Sequence, residues 1–233
     1  MRFPQFGIDI GGTKIRWVVF SRGAVRHSGT LATPRTRAAF QQTLRTLARR
    51  AGRHGCRRIG VCIAGTVRGT KFLYGANIPS VRNFDFRDVF PQPFRVRVDH
   101  DARCFARTEA VLGVARGAVS ACAFIMGTGV GRAFVRNGMP VALRRFEYSE
   151  RWEAEYQRYA SRSARQLAEF LAPHLARIVT EFKPAIVVLG GGTMRKPQFF
   201  SLLRKSIRHA GARCPVLRSR FRQNGPALGA VLG

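Results

Sequence analysis

Two stretches of the chain share one grammar. "FGIDIGGTKIRWVVF", residues 6–20, sets Gly11, Gly12, Thr13 and Lys14 between two apolar runs, and "FIMGTGVGRAFVRNG", ending at Gly138, does the same with Gly127, Thr128 and Gly129. Each reads as an apolar strand, a Gly/Thr turn, a second strand and an Arg/Asn-Gly corner. Glycine lets a backbone approach a ligand closely, and successive free N–H groups form an anion-binding concavity, so a phosphate is the natural guest. A plain glycine hairpin would explain either stretch alone. Their repetition constrains more: the spacing from Gly12 to Gly127 is about half the chain, as duplication of one α/β unit would leave it. Two lobes follow, residues 1–114 and 115–233, each offering a phosphate turn to a shared cleft.

Between the turns, "TRAAFQQTLRTLARRAG" carries apolar residues at helical spacing (Phe40, Leu44, Leu47, Ala48), and "RIGVCIAG" reads as a buried strand. "FRVRVD" alternates as a strand and runs into a helix, "ARCFARTEAVLG". An irregular stretch is expected from Gly138 to about residue 160, then a long helix over "ARQLAEFLAPHLARIVTEF", kinked at Pro173. "AIVVLGGG" is a buried strand opening on Gly190, Gly191 and Gly192, and "PALGAVLG" is a last short helix.

Composition narrows the class. A chain of 233 residues, 45% hydrophobic, can bury a sizeable core. No run reaches the roughly 20 apolar residues of a membrane helix, and "MRFPQFGIDI" has no signal-peptide core, so a cytoplasmic protein without a membrane partner is expected. The five cysteines are odd in number and lack ligand spacing, which argues for reduced thiols and against disulfides or structural zinc. Lys+Arg number 41 against 12 Asp+Glu, a net charge of +29. Almost all the excess is arginine spread along the chain, so non-specific attraction to nucleic-acid backbones at low salt is expected whatever the function. Neither glycine motif is a Walker loop or a dinucleotide fingerprint: "GGTKIRW" lacks the GK[ST] ending, and Arg132 stands where the third glycine belongs.

Taken in order, "DIGGTKIR", "IAGTV", "ANIPS", "VDHDARCFARTEA", "GTGVGRAFVRNG", "VVLGGG" and "ALGAVLG" resemble the ROK family of sugar kinases over nearly the whole chain. The resemblance implies an α/β, two-lobed fold of the actin-like/sugar-kinase (ribonuclease H-like) type, with ATP and a sugar in the interlobe cleft. It implies that Asp9 would hold Mg²⁺ through its water shell. Gly11, Gly12, Thr13 and Lys14 would cradle phosphates, as would Gly127, Thr128 and Gly129. Gly190, Gly191 and Gly192 would lie against the adenosine. Asn77 matches a sugar-contacting asparagine, and Asp101 the catalytic aspartate.

The departures are also informative. His100 replaces the family's asparagine beside that aspartate and can still hydrogen-bond a hydroxyl. The zinc motif is absent and the region from Met139 to Ser161 is shortened. There "SERWE" sets Glu150 on the family's sugar-binding glutamate and Glu153 where a histidine would be. Asp101, between a strand and a helix, could serve as a helix N-cap, a role compatible with catalysis. The expected function is ATP-dependent phosphorylation of a sugar hydroxyl, glucokinase-like. The alternative is a catalytically degenerate sugar- or nucleotide-binding protein of the same family with a regulatory role. A repressor of this family would carry a helix-turn-helix before the first strand, and that strand begins here by Phe6. A homodimer is left open, because the shortened region often helps form the family's dimer.

Overall fold

The computed structural model describes residues 3–143, 146, 151–221 and 223–233. In chain order come β1 (Gln5–Ile10), β2 (Lys14–Ser21), β3 (Ala24–Ala32), α1 (Arg37–Arg53), β4 (Arg58–Ile63), β5 (Thr66–Arg68), β6 (Lys71–Tyr74), β7 (Phe84–Asp85), β8 (Arg95–His100) and α2 (Asp101–Val111). There follow β9 (Ser120–Met126), β10 (Val130–Arg136), β11 (Met139–Val141), α3 (Arg151–Ala160), α4 (Ala164–Phe182), β12 (Ile186–Gly190), α5 (Phe199–His209), β13 (Val216–Arg218) and α6 (Gly225–Val231).

The first unit is built on a sheet of order β3-β2-β1-β4-β8, the second on β11-β10-β9-β12-β13. The sense of pairing repeats as well. In each unit a leading strand pairs antiparallel with its hairpin partner and parallel with a later strand, β1 with β2 and β4, β9 with β10 and β12. The duplicated grammar of the sequence is thus a duplicated topology.

Alternation decides each face. Phe6, Ile8 and Ile10 of β1 pack with Phe40, Leu44 and Leu47 of α1, each such burial stabilising the fold by about 1.5–3 kcal/mol. Thr36 caps α1, its hydroxyl accepting from the Ala39 N–H at 3.3 Å. The opposite face carries Gly7 and Gly60, directly paired in register. A Cβ on Gly7 would overlap the Ala227 carbonyl, and one on Gly60 the Ala230 carbonyl, so α6 lies backbone to backbone on β1 and β4. In the second unit Phe124, Met126, Val187 and Leu189 meet Leu167, Leu171 and Leu175 of α4 and Leu203 of α5. Helix α4 runs through Pro173 and starts at a capping box between Ser163 and Gln166.

Two expectations need correction. The chain divides within α2, between Phe105 and Ala106, and Asn224–Gly233 belongs to the first unit, rather than dividing at 114/115. The packing of α6 on Gly7 and Gly60 is the reason, and nothing local to residues 225–233 announces it. The stretch expected to be irregular holds α3, whose Trp152 and Tyr156, one helical turn apart, are both buried. Among the described residues no helix is long and apolar enough to cross a membrane. Cys56, Cys62, Cys104 and Cys122 are buried and Cys214 is half-buried.

Candidate functional site

Parallel pairing brings the ends of β1, β4 and β8 level, with Ile10 beside Ile63 and Ile63 beside His100. Carboxyl ends of parallel strands are where α/β sheets place their ligands. Asp9, one residue from the end of β1, is buried. Its Oδ1 accepts from the Cys62 thiol at 3.5 Å, and its Oδ2 lies 3.7 Å from Arg16. Burial, reinforced by the neighbouring Asp101 carboxylate, pushes the Asp9 pKa up to about 7 against the smaller opposing pull of Arg16. With Asp101 acting on it and Arg16 only partly offsetting the burial, Asp9 marks a locus short of positive charge. Such a locus suits a divalent cation held by carboxylate and water, the manner of Mg²⁺.

Asp101 is the first residue of α2. Its Oδ1 accepts from the Ala102 N–H at 2.8 Å and lies 3.1 Å from His100 Nδ1, which in turn lies 3.3 Å from the Ala102 nitrogen. His100 therefore stands at the cap position and Asp101 just inside it. The carboxylate is held at the N-terminal end of the helix, fixed against its first turn. Asn77 sits in the turn between β6 and a short 3₁₀ segment, Pro79–Val81. That turn packs on the glycine hairpin: a Cβ on Gly12 would come 2.9 Å from Asn77 Cβ and 3.0 Å from its carbonyl oxygen. Gly11 closes the hairpin through its N–H to the Lys14 carbonyl at 3.0 Å, and Thr13 and Lys14 are exposed. Asp9, Gly11, Gly12, Thr13, Lys14, Asn77, His100 and Asp101 thus belong to one unit.

The second unit gathers the remaining glycines. Gly127, Thr128 and Gly129 are exposed between β9 and β10, and a Cβ on either glycine would meet nothing within 4 Å. Gly190 ends β12 beside Ile125. Gly191, at φ +97°, has no room for a Cβ against the Met126 backbone, so the glycine is obligatory there. Gly192 opens a 3₁₀ turn, Gly192–Arg195. A cavity of about 380 Å³ lies beside this turn, walled by Gly190, Gly191, Met194, Arg195, Arg218 and Ser219. The size and mixed polarity suit a nucleoside.

Several residues that shape these turns carried no signal in the sequence. Tyr156 bonds both the Gly127 carbonyl and Thr193, and Thr33 bonds the Gly11 carbonyl. Glu109, fully buried, takes the Ser219 hydroxyl on Oε1 at 2.5 Å and the Val114 N–H on Oε2 at 3.1 Å, holding one wall of the cavity. Burial raises its pKa. Glu150 lies outside the described residues. Glu153 is in α3, 3.3 Å from the buried Arg132 of β10.

The chain belongs to the ROK family, whose sequence profile matches residues 5–145. It is 32% identical over 139 residues to the N-acetylgalactosamine kinase AgaK of Shewanella sp. (strain ANA-3), covering 57% of this chain and 45% of that protein. To the N-acetyl-D-glucosamine kinase of Shigella boydii serotype 4 (strain Sb227) it is 38% identical over 145 residues, covering 58% and 47%. The chain therefore spans about half the length of the curated relatives it matches. Among solved structures, the ROK family glucokinase from Streptomyces griseus, in complex with glucose and AMPPNP, aligns with a TM-score of 0.84 at 20% identity over 97% of both chains. The ROK hexokinase from Thermus thermophilus aligns at 0.77 and 24% identity, over 99% of this chain and 97% of that one. At such identities these likenesses establish the fold, the two-lobed actin-like α/β fold expected from the motifs.

Proposed function

We propose that the protein phosphorylates a sugar hydroxyl with ATP, and that the sugar is an N-acetylated hexosamine. The observation that carries the reading is the carboxylate pair of Asp9 and Asp101, beside a glycine hairpin packed on Asn77, in a member of the ROK family. Asp101 takes the proton of the sugar hydroxyl as its oxygen bonds to the γ-phosphorus and the bond to ADP breaks. In the loose transition state of phosphoryl transfer, placement of that hydroxyl matters more than basicity. Asn77 and His100 orient the sugar, and the N–H groups of the two glycine turns meet the charge of the phosphates. The open space beside Gly127 and Gly129, which the protein itself does not fill, suits a phosphate group. Mg²⁺, held near Asp9, would supply neutralisation of phosphate charge. The cavity beside Gly190 and Gly191 would take the adenosine.

The choice of sugar is supported by the names of the two curated relatives, both N-acetylhexosamine kinases. The test is ADP release with Mg²⁺ and ATP over glucose, glucosamine, N-acetylglucosamine, N-acetylgalactosamine and N-acetylmannosamine. Turnover is expected on an N-acetylated sugar. Glucose as the best substrate would overturn the choice of sugar. Nucleotide binding without turnover on any of them would favour a binding protein over a kinase.

A further inference from the structure

Both glycine turns are closed by the same device. In the first, the Gly11 N–H donates to the Lys14 carbonyl at 3.0 Å, and the Thr33 hydroxyl donates to the Gly11 carbonyl at 2.6 Å. In the second, the Gly127 N–H donates to the Gly129 carbonyl at 2.9 Å, and the Tyr156 hydroxyl donates to the Gly127 carbonyl at 3.2 Å. A hydroxyl from outside each hairpin takes the carbonyl of its leading glycine.

A trans peptide is planar, and its C=O and following N–H point to opposite sides. Anchoring the Gly11 carbonyl on Thr33 therefore turns the Gly12 N–H away from Thr33. Anchoring the Gly127 carbonyl on Tyr156 likewise turns the Thr128 N–H away from Tyr156. A glycine turn without such an anchor is free to flip its peptide, and a flipped peptide presents a carbonyl oxygen to an anion. We propose that Thr33 and Tyr156 are positioning residues that hold the Gly12 and Thr128 N–H groups toward the phosphates of the nucleotide, an assignment that rests on the kinase reading.

Three features support it. Thr33 is 7% exposed and Tyr156 is buried, which limits the access of water to either hydroxyl. The Tyr156 hydroxyl also lies 2.7 Å from Thr193 Oγ1, and with its one proton on the Gly127 carbonyl it is placed to accept from the Thr193 hydroxyl. The chain Thr193 to Tyr156 to Gly127 ties the phosphate turn to the turn that begins at Gly190–Gly192, where the nucleoside cavity lies. And the device occurs twice, once per unit, built from a strand-flanking threonine in one and a helical tyrosine in the other. Preorganised donors of this kind need no rearrangement when charge arrives.

The test compares wild type with Thr33→Val, Thr33→Ser and Tyr156→Phe, using calorimetric affinity for a non-hydrolysable ATP analogue with Mg²⁺ and for pyrophosphate. Thermal melting confirms that each variant is folded. Thr33→Val and Tyr156→Phe should each weaken analogue binding about tenfold, the scale of one charge-assisted hydrogen bond. KM for ATP should rise while KM for the sugar holds, and Thr33→Ser should restore wild-type affinity. The Gly12 and Thr128 amide ¹⁵N resonances should shift on pyrophosphate addition in wild type, each much less in the variant of its own unit. Should Tyr156→Phe fail to fold, Thr193→Val, which loosens the Tyr156 hydroxyl, carries the same expectation for Thr128. Folded variants that bind as tightly as a binding wild type, or a loss in Thr33→Val that serine does not restore, overturn the positioning role alone. A wild type that binds neither the analogue nor pyrophosphate overturns the kinase reading and this inference with it.

Discussion

The two glycine turns share sheet topology, closing hydrogen bonds and a hydroxyl anchor, yet differ in why their glycines are there. Gly12 is demanded by the protein: its missing side chain makes room for Asn77. Gly127 and Gly129 are not, since a Cβ on either would touch nothing within 4 Å. The carboxylates differ too. Asp9 and Asp101 stand with the first turn, and the second has the cavity bounded by Arg195, Arg218 and Ser219. In the function proposed above, the first unit supplies the acid–base chemistry and the second holds the nucleotide.

The largest expected effect tests that division of labour. Asp101→Asn keeps the shape and the bond to the Ala102 N–H but cannot accept a proton. Turnover should fall by at least about 100-fold with nucleotide affinity nearly intact. Steady-state rates beside calorimetry check it, and full activity would end the proposed mechanism.

Next is Gly12→Val, which drives a branched side chain into Asn77. Overpacking of this kind costs about 1–3 kcal/mol of stability, and both nucleotide affinity and sugar KM should worsen together. Thermal melts and separate titrations of the two ligands show whether they do.

Gly127→Ala should behave differently. With nothing for the methyl to strike, stability should stay within about 0.5 kcal/mol of wild type. Nucleotide affinity should fall several-fold, and sugar KM should hold. If Gly127→Ala and Gly12→Val instead lose the same properties, the contrast between the turns disappears.

The smallest effect is in acid. The Asp85 carboxylate is held well below its ordinary value, first by its bond to the Arg87 side chain and also by the Arg87 N–H and Thr70. Its stabilisation is present above about pH 3.8 and is lost as pH falls toward the folded value. Glu109 of the second unit has the opposite sign. Its folded pKa lies above the ordinary 4.5, so lowering the pH relieves a buried charge. Hydrogen exchange followed from pH 6 to about pH 3 should therefore show protection of β6 and β7 weakening while that around Glu109 does not.

Much of the architecture was legible from short-range patterns. Apolar runs and helical spacing marked β1, β2, α1 and α4, and the repeated Gly/Thr turn marked the duplication, because periodicity and backbone freedom are properties of a few neighbouring residues. The catalytic and binding candidates Asp9, Asn77 and Asp101 came from motif order; strand register levels the ends of β1 and β8 that carry the two aspartates, and packing of a turn on Gly12 adds Asn77. What only the tertiary structure decided are pairings between distant residues: α6 returning to lie on Gly7 and Gly60, Glu153 meeting Arg132, and the hydroxyls of Thr33 and Tyr156 reaching glycine carbonyls 22 and 29 residues away. A threonine in "LATPR" and a tyrosine in "EAEYQ" look like any others in the sequence. Their roles come from where strand register and helix packing put the hydroxyl, and from the planarity of the peptide it holds.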